Sequence, residues 1–285
     1  MAVVAFAAHP DRPQALALAE EAVAWLLERD HEVRLPAEDA ASLGRPELGR
    51  ETPELLPGLD LAVSFGGDGT MLRAVDLFSP AGTPVLGINV GQLGFLTEVE
   101  PDGMRMALKR FLSGAYDVEE RMMLSVSTAG IASGDGEPAT ALNEVVIEKT
   151  PMGHTVRLGV DIDGVRFTTY QADGLIVASP TGSTAYSMSA RGPIVTPTHR
   201  ALIVTAVSPH MLFDRSLVLE PESCVRVTVE DDRAATVSVD GRNLGQLPEG
   251  GVVECSAAER SARIVTFRPR DFHQILRTKF GLPER

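Results

Sequence analysis

Apolar and polar positions along this chain follow two different rhythms, and the change comes near residue 118. Before it, short apolar runs alternate with stretches of helical spacing. Residues 3–7 form an apolar run and His9-Pro10-Asp11 breaks it. Residues 14–29 then place Leu16, Ala19, Val23, Leu26 and Leu27 near one helical face. Trp25 in that helix reads as packing. A second strand is predicted over 31–35, a Pro- and Glu-rich connection runs to Pro57, and a third strand covers 59–65. The pattern MLRAVDLF (71–78) is helical, 84–89 is a strand and 103–113 is a helix. Strands alternating with helices predict a parallel sheet with helices on its faces.

Beyond Val118 the apolar runs become short and often alternate, at 122–128, 141–148, 155–162, 165–170, 174–178, 201–207, 216–219, 225–229 and 236–239. Turn signals separate them: Ser133-Gly134-Asp135-Gly136, Asp163-Gly164 and Asp240-Gly241. So many short strands with few helical patterns predict an all-β second domain. Residues 272–279 look helical again. The expected division is an α/β domain over 1–117 and a β-rich domain over 118–269, with 270–285 returning to the first.

Composition narrows the function. Hydrophobic residues make up 44% of the 285 and charged residues 23%, the balance of a soluble globular protein rather than a disordered or fibrous one. With 39 acidic against 26 basic residues the net charge is −13, which argues against a general nucleic-acid binder and against an anionic membrane surface. An anionic substrate then needs arginines focused locally. Cys224 and Cys255 cannot build a disulfide scaffold or a Cys-rich metal site, and both read as reduced, buried strand residues. The stretch MAVVAFAAHPDRP has no basic leader and no window has the apolar length of a membrane span, so a cytoplasmic chain is expected. The histidines at 9, 31, 154, 199, 210 and 273 show no HExxH spacing, and no GxSxG elbow occurs. Neither zinc chemistry nor a hydrolytic triad is indicated.

Three segments carry candidate chemistry. Phe65-Gly66-Gly67-Asp68-Gly69-Thr70 joins a buried strand to a helix. A glycine-rich turn lets backbone N–H groups approach an anion, and the helix start adds positive potential. Asp68 would be a carboxylate placed where a hydroxyl meets a phosphate; the alternative is a plain tight turn. The motif lacks the lysine of a GxxxxGKS loop. Second, Asn143 and Glu144 interrupt an apolar strand, where neighbours point to opposite faces, so one of them is buried and needs a partner. A capped strand terminus is the alternative. Third, Asp173 precedes the apolar run 174–178, which leads into Ser179-Pro180-Thr181-Gly182-Ser183-Thr184-Ala185-Tyr186-Ser187. Hydroxyls and free helix-start amides suit a ribose or phosphate, and Tyr186 could offer a base its ring. A helix cap with a core tyrosine is the alternative.

Together these segments resemble the NAD kinase family. The match rests on FGGDGTML (65–72), GINVGQLGFLTE (87–98), ALNEVVIEK (141–149), ADGLIVASPTGSTAYSMSARGPIV (172–195), SPHMLFDRSLVL (208–219) and SVDGR (238–242), in order over most of the chain. GGDGT alone also occurs in diacylglycerol-kinase-like lipid kinases; the linked motifs are more specific. The resemblance implies a Rossmann-like α/β N-terminal domain and an all-β, NAD-binding C-terminal domain. It also implies transfer of the ATP γ-phosphate to the adenosine-ribose 2′-hydroxyl of NAD. Mg²⁺ or another divalent cation, and a homo-oligomer (dimer or tetramer), go with it; polyphosphate is an alternative donor. Carried onto this sequence, Asp68 is the base, Gly66, Gly67 and Gly69 shape the nucleotide turn, and Arg73 lies near phosphates. Asn143 and Glu144 hold the NAD ribose or nicotinamide, and Asp173 takes a polar NAD group. Thr184, Ala185, Tyr186, Ser187 and Ser189 line the adenine side, and His154 and Arg242 complete the ligand-facing set. No metal-ligating side chain is assigned. Gln171 stands where a basic residue is frequent, Arg191 where glycine is usual, and Arg242 where glutamine is frequent. A related kinase acting on another nucleoside or sugar, and a catalytically silent NAD-binding sensor, are the rival readings.

Overall fold

The structure, a computed structural model, describes residues 1–91, 94–131, 138–150 and 154–283. The turn signal at 133–136, and Gln92 and Leu93 of the 87–98 motif, lie outside the described residues. The chain forms two compact units: Met1–Glu120 together with Ala262–Arg285, and Arg121–Ser261.

The first unit runs β1 (Val3–Ala8), α1 (Pro13–Leu27), β2 (Glu32–Pro36), α2 (Ala37–Ser42), β3 (Gly49–Arg50), α3 (Thr52–Leu55) and β4 (Leu61–Gly66). It continues with α4 (Asp68–Phe78), β5 (Val85–Asn89), α5 (Met104–Leu112) and β6 (Asp117–Arg121). β1, β4 and β5 are buried almost throughout because helices cover both faces of a parallel sheet. Pro13 opens α1, where a missing N–H costs nothing. That helix lays Ala15, Ala19, Ala22, Val23 and Leu26 on the sheet. Trp25 is buried, as its packing role requires, with the Arg29 guanidinium 4.3 Å over its ring. The predicted loop between β2 and β4 contains α2, β3 and α3, each too short for a periodic pattern to show.

In the second unit, β7 (Leu124–Ala129), β8 (Ala139–Ala141), β9 (Glu144–Lys149), β10 (Val156–Ile162), β11 (Val165–Ala172) and β12 (Gly174–Ala178) precede the short α6 (Tyr186–Ser189). Then come β13 (Leu202–Val207), β14 (Leu217–Leu219), β15 (Val225–Val229), β16 (Ala235–Val239), β17 (Arg242–Leu247) and β18 (Val252–Ala257). They build two sheets of six strands, β11-β10-β15-β18-β7-β8 and β14-β13-β12-β9-β16-β17. One apolar cluster draws on both, including Leu124, Val126, Val145, Ile147, Leu158 and Val177. A smaller cluster of Val146, Ile176, Ala178 and Ile203 packs beneath Ala190 and Val195 on the other face of the second sheet. β12 is therefore apolar at every position rather than alternating.

The chain then returns to the first unit through β19 (Ala262–Thr266) and α7 (Phe272–Phe280). The first sheet has the order β3-β2-β1-β4-β5-β19-β6. The return thus begins at 262 rather than 270, since an apolar run such as ARIVT does not reveal which sheet it joins. The expected strand 141–148 is likewise two strands in different sheets, broken at Leu142-Asn143. Cys255 is buried in β18, with its thiol pKa pushed up by burial. Cys224 corrects the expectation: it is half-buried and precedes β15 instead of lying in it. No helix among the described residues is long and apolar enough to cross a membrane.

Candidate functional site

In the first unit the sheet order reverses between β1 and β4, whose outer neighbours are β2 and β5. Open α/β sheets take ligands outside the carboxyl ends of strands at such a point. A cleft of about 380 Å³ lies there, lined by His9 and Arg12 after β1 and by Gly67, Asp68, Gly69 and Arg73 after β4. The three glycines differ in their reasons. A Cβ at Gly66 would meet Thr70 Oγ1 at 2.2 Å, so that glycine is demanded by packing. A Cβ at Gly67 or Gly69 would meet nothing within 4 Å. Those two leave the start of α4 open, and no side chain caps that helix end. Uncapped helix-start N–H groups with no side chain in front of them suit a phosphate.

Asp68 is the first residue of α4, and both its oxygens are engaged. Oδ2 accepts the Phe95 N–H at 2.8 Å and Oδ1 accepts the Leu96 N–H at 3.0 Å. Gly94 makes this closure possible, since a Cβ there would stand 2.2 Å from Asp68 Oδ1. Gly94, Phe95 and Leu96 therefore fix the direction of the carboxylate, which retains lone pairs for a further donor.

Arg73, expected near phosphates, is claimed by the buried Asp39. The guanidinium donates to Asp39 Oδ1 at 2.6 Å and Oδ2 at 2.9 Å, and to the Ala8 carbonyl at 2.9 Å. Its charge is largely answered before any ligand arrives. Arg12, outside the expected site residues, donates Nη1 to the Val90 carbonyl. Among the described residues no carboxylate pairs with it, so it is the less compensated cation of the cleft. HPDRP following an apolar strand was the available signal for Arg12. Asp39, inside a poorly patterned connection, had none.

In the second unit Asp240 organises the Asn143-Glu144 segment. Its Oδ2 accepts the Leu142 N–H at 2.7 Å, and its Oδ1 accepts those of Asn143 at 2.8 Å and Glu144 at 3.0 Å. Three consecutive amides are thereby drawn out of the ladder, and the chain passes from one sheet to the other. Asp240 occupies the left-handed region (φ 47°) beside Gly241 (φ 79°), in the tight turn joining β16 and β17. The sequence marked Asp240-Gly241 as a turn but not as this anchor.

Glu144 is the buried member of the pair and Asn143 the half-buried one. Glu144 Oε2 is buried with no partner among the described residues. Burial, reinforced by the Asp240 charge and opposed by the Tyr186 backbone N–H, pushes its pKa up to about 8. Near neutral pH the carboxyl is largely protonated and can donate a hydrogen bond.

The segment 179–195 packs over this region. Gly182 lies against the Asn143 carbonyl, which a Cβ would meet at 2.2 Å. Tyr186 is 38% exposed, which removes the core-tyrosine alternative. Its hydroxyl pKa is raised by partial burial and by the charges of Glu148 and Asp173. Asp173 is already paired with Lys149 at 2.6 Å. Ser189 is exposed and Thr184 and Ala185 are half-buried, whereas Ser187 is fully buried and faces Thr205 at 3.4 Å. Ser187 therefore shapes the turn instead of lining a surface. His154 and Arg242 are exposed. Gln171 donates to Thr155 at 3.1 Å. Arg191 is exposed and left-handed (φ 66°), a conformation that glycine adopts without strain.

Residues 4–116 match the ATP-NAD kinase N-terminal domain, and residues 142–267 the ATP-NAD kinase C-terminal domain. The NAD kinase of Heliobacterium modesticaldum is 42% identical over 284 residues, covering 98% of both chains. That of Moorella thermoacetica is 40% identical over 277 residues, covering 97% of this chain and 88% of its own. Among solved structures, yeast NADH kinase complexed with NADH is similar at a TM-score of 0.91 and 25% identity, covering 100% of this chain and 89% of that one. An NAD kinase from Archaeoglobus fulgidus in complex with ATP is similar at a TM-score of 0.70 and 27% identity, covering 98% and 97%.

Proposed function

The chain belongs to the ATP-NAD kinase family, and from that premise we propose that Asp68 is the general base in transfer of the ATP γ-phosphate to the adenosine-ribose 2′-hydroxyl of NAD⁺. The ribose oxygen forms a bond to the γ-phosphorus, the bond from that phosphorus to the β–γ bridging oxygen breaks, and the hydroxyl proton passes to Asp68. NADP⁺ and ADP leave. The observation that carries this reading is the Asp68 carboxylate, aimed by the Phe95 and Leu96 amides beside the open glycine turn. Phosphoryl transfer asks mainly for positioning and charge neutralisation. The N–H groups at Gly67 and Gly69 and the less compensated Arg12 supply these to the polyphosphate, with Arg73, largely answered by Asp39, beside them.

Asn143, Glu144 and Asp173 hold polar groups of NAD, with Tyr186, Thr184, Ala185 and Ser189 on the adenine side. His154 and Arg242 complete the set. A divalent cation, Mg²⁺ in the first instance, neutralises triphosphate charge. Asp68 is the carboxylate lining the cleft, and a cation carried by phosphate oxygens needs only one or two such groups. Family membership supports a cytoplasmic homo-oligomer.

The test is a donor-by-acceptor series with labelled ATP or polyphosphate against NAD⁺, NADH, adenosine, AMP and simple sugars, with and without chelator. NAD⁺ should have the highest kcat/KM of the acceptors, and activity should vanish on chelation and return with Mg²⁺ or Mn²⁺. A nucleoside or sugar preferred over NAD⁺ would overturn the acceptor. Failure to consume ATP with any of them would favour the silent NAD-binding sensor.

A further inference from the structure

The loop that aims Asp68 is itself held from its other side. Phe95 and Leu96 give their N–H groups to Asp68, and their carbonyl oxygens accept from Arg270 at 2.8 and 3.1 Å. A peptide segment whose donors and acceptors are both engaged cannot turn without breaking one set. Arg268 adds an ion pair to Glu98 at 3.8 Å. Asp271, next to Arg270, caps α7, and that helix brings Lys279 to 3.9 Å from Asp68 Oδ2 and places the same ammonium 4.1 Å over the Phe95 ring. Phe280 meets Phe95 at 6.4 Å between ring centroids.

No residue of α7 is buried. Helices in globular proteins are ordinarily held by an apolar face. This one instead sends Lys279 and Phe280 to Phe95 of the 94–98 loop and Lys279 to Asp68. We propose that Arg270 and Lys279 are positioning residues for the reaction: Arg270 orients the Phe95–Leu96 amides that fix the Asp68 carboxylate, and Lys279 holds the same carboxylate electrostatically from α7. The inference rests on Asp68 being the base. It gives the segment after β19 a function, since the chain returns to the first unit to complete the surroundings of Asp68.

Lys279→Met, Lys279→Arg, Arg270→Gln and Asp68→Asn, made in the full chain, test it together. A misplaced catalytic group can cost on the order of 100-fold, so Lys279→Met and Arg270→Gln should lower kcat about 10- to 100-fold while KM for NAD⁺ and ATP stays put. Lys279→Arg, which keeps the charge and the ring contact, should recover most of the loss. If Lys279→Met keeps the wild-type kcat while Asp68→Asn is inactive, the positioning role is wrong and the base stands. A raised KM for ATP with unchanged kcat would make Lys279 a phosphate ligand and overturn the proposal as well. Equal impairment of the Met and Arg variants would remove the charge from the argument. Wild-type turnover in Asp68→Asn would instead overturn the base itself. Should Arg270→Gln fail to fold, the two Lys279 variants decide alone, because the Lys279 side chain is partly exposed.

Discussion

Asp68 and Glu144 are both carboxyl groups at the end of an element in a family motif, yet their surroundings are opposite. Asp68 is partly exposed, and each oxygen accepts a backbone N–H. Glu144 is buried, beside the Asp240 charge, with Oε2 unpartnered. A carboxylate fixed from two directions is suited to act on a proton at a set place. A buried carboxyl with one bare oxygen is suited to wait for a ligand group, since leaving it unsatisfied costs about 1–3 kcal/mol that a bound hydroxyl or amide recovers. Residue type and motif membership alone do not separate these two carboxyl groups; the number of their oxygens already satisfied does.

The largest effect should come from Asp68→Asn. It keeps the shape and removes the base, so kcat should fall about 10²–10⁴-fold with NAD⁺ affinity by equilibrium binding preserved. A comparable loss of binding would erase the contrast with Glu144.

Glu144→Gln sharpens the other half. Between its ordinary value near 4.5 and the folded value of about 8, Glu144 is protonated in the folded protein and ionised in the unfolded chain. The folded state then binds the extra proton, so this group's contribution to stability falls as pH rises through that window, by about 1.4 kcal/mol per pH unit. Below 4.5 and above 8 it is level. The glutamine variant lacks this slope, so its Tm relative to wild type should rise from pH 5 to pH 8. Parallel Tm curves would show that Glu144 ionises normally.

Asn143→Ala should raise KM for NAD⁺ by about tenfold, the worth of a hydrogen bond or two, and leave KM for ATP near wild type. A variant that loses stability instead, with unchanged NAD⁺ affinity, would return Asn143 to the role of a strand-end cap. The smallest effect belongs to Arg191→Gly. Left-handed backbone costs an L-residue roughly 1–2 kcal/mol and glycine returns part of that as chain entropy. Stability measured by denaturant should therefore rise by less than about 1 kcal/mol, with both KM values unchanged.

Much of this is legible in the amino-acid sequence. Continuous apolar runs marked β1 and β4, which are buried on both faces, while one-face burial gave the helical spacing of α1 and α4 and the alternation of most second-unit strands. The glycines at 66, 67 and 69 marked the turn, and Asn143-Glu144 stood out as polar residues in an apolar run. Alternation even predicted that one of that pair is buried. Pairings between residues far apart in the chain came only with the folded arrangement. That Asp39 answers Arg73, that Asp240 gathers the amides of 142–144, and that α7 returns to Asp68 are long-range contacts to which local spacing is blind. The same holds for β8 and β9, which read as one strand because hydrophobic periodicity records that a face is buried and not which sheet buries it. Glu144 was recognisable as a carboxyl in need of a partner. Only the packing around it, with Asp240 beside it and nothing on Oε2, set the proton it carries.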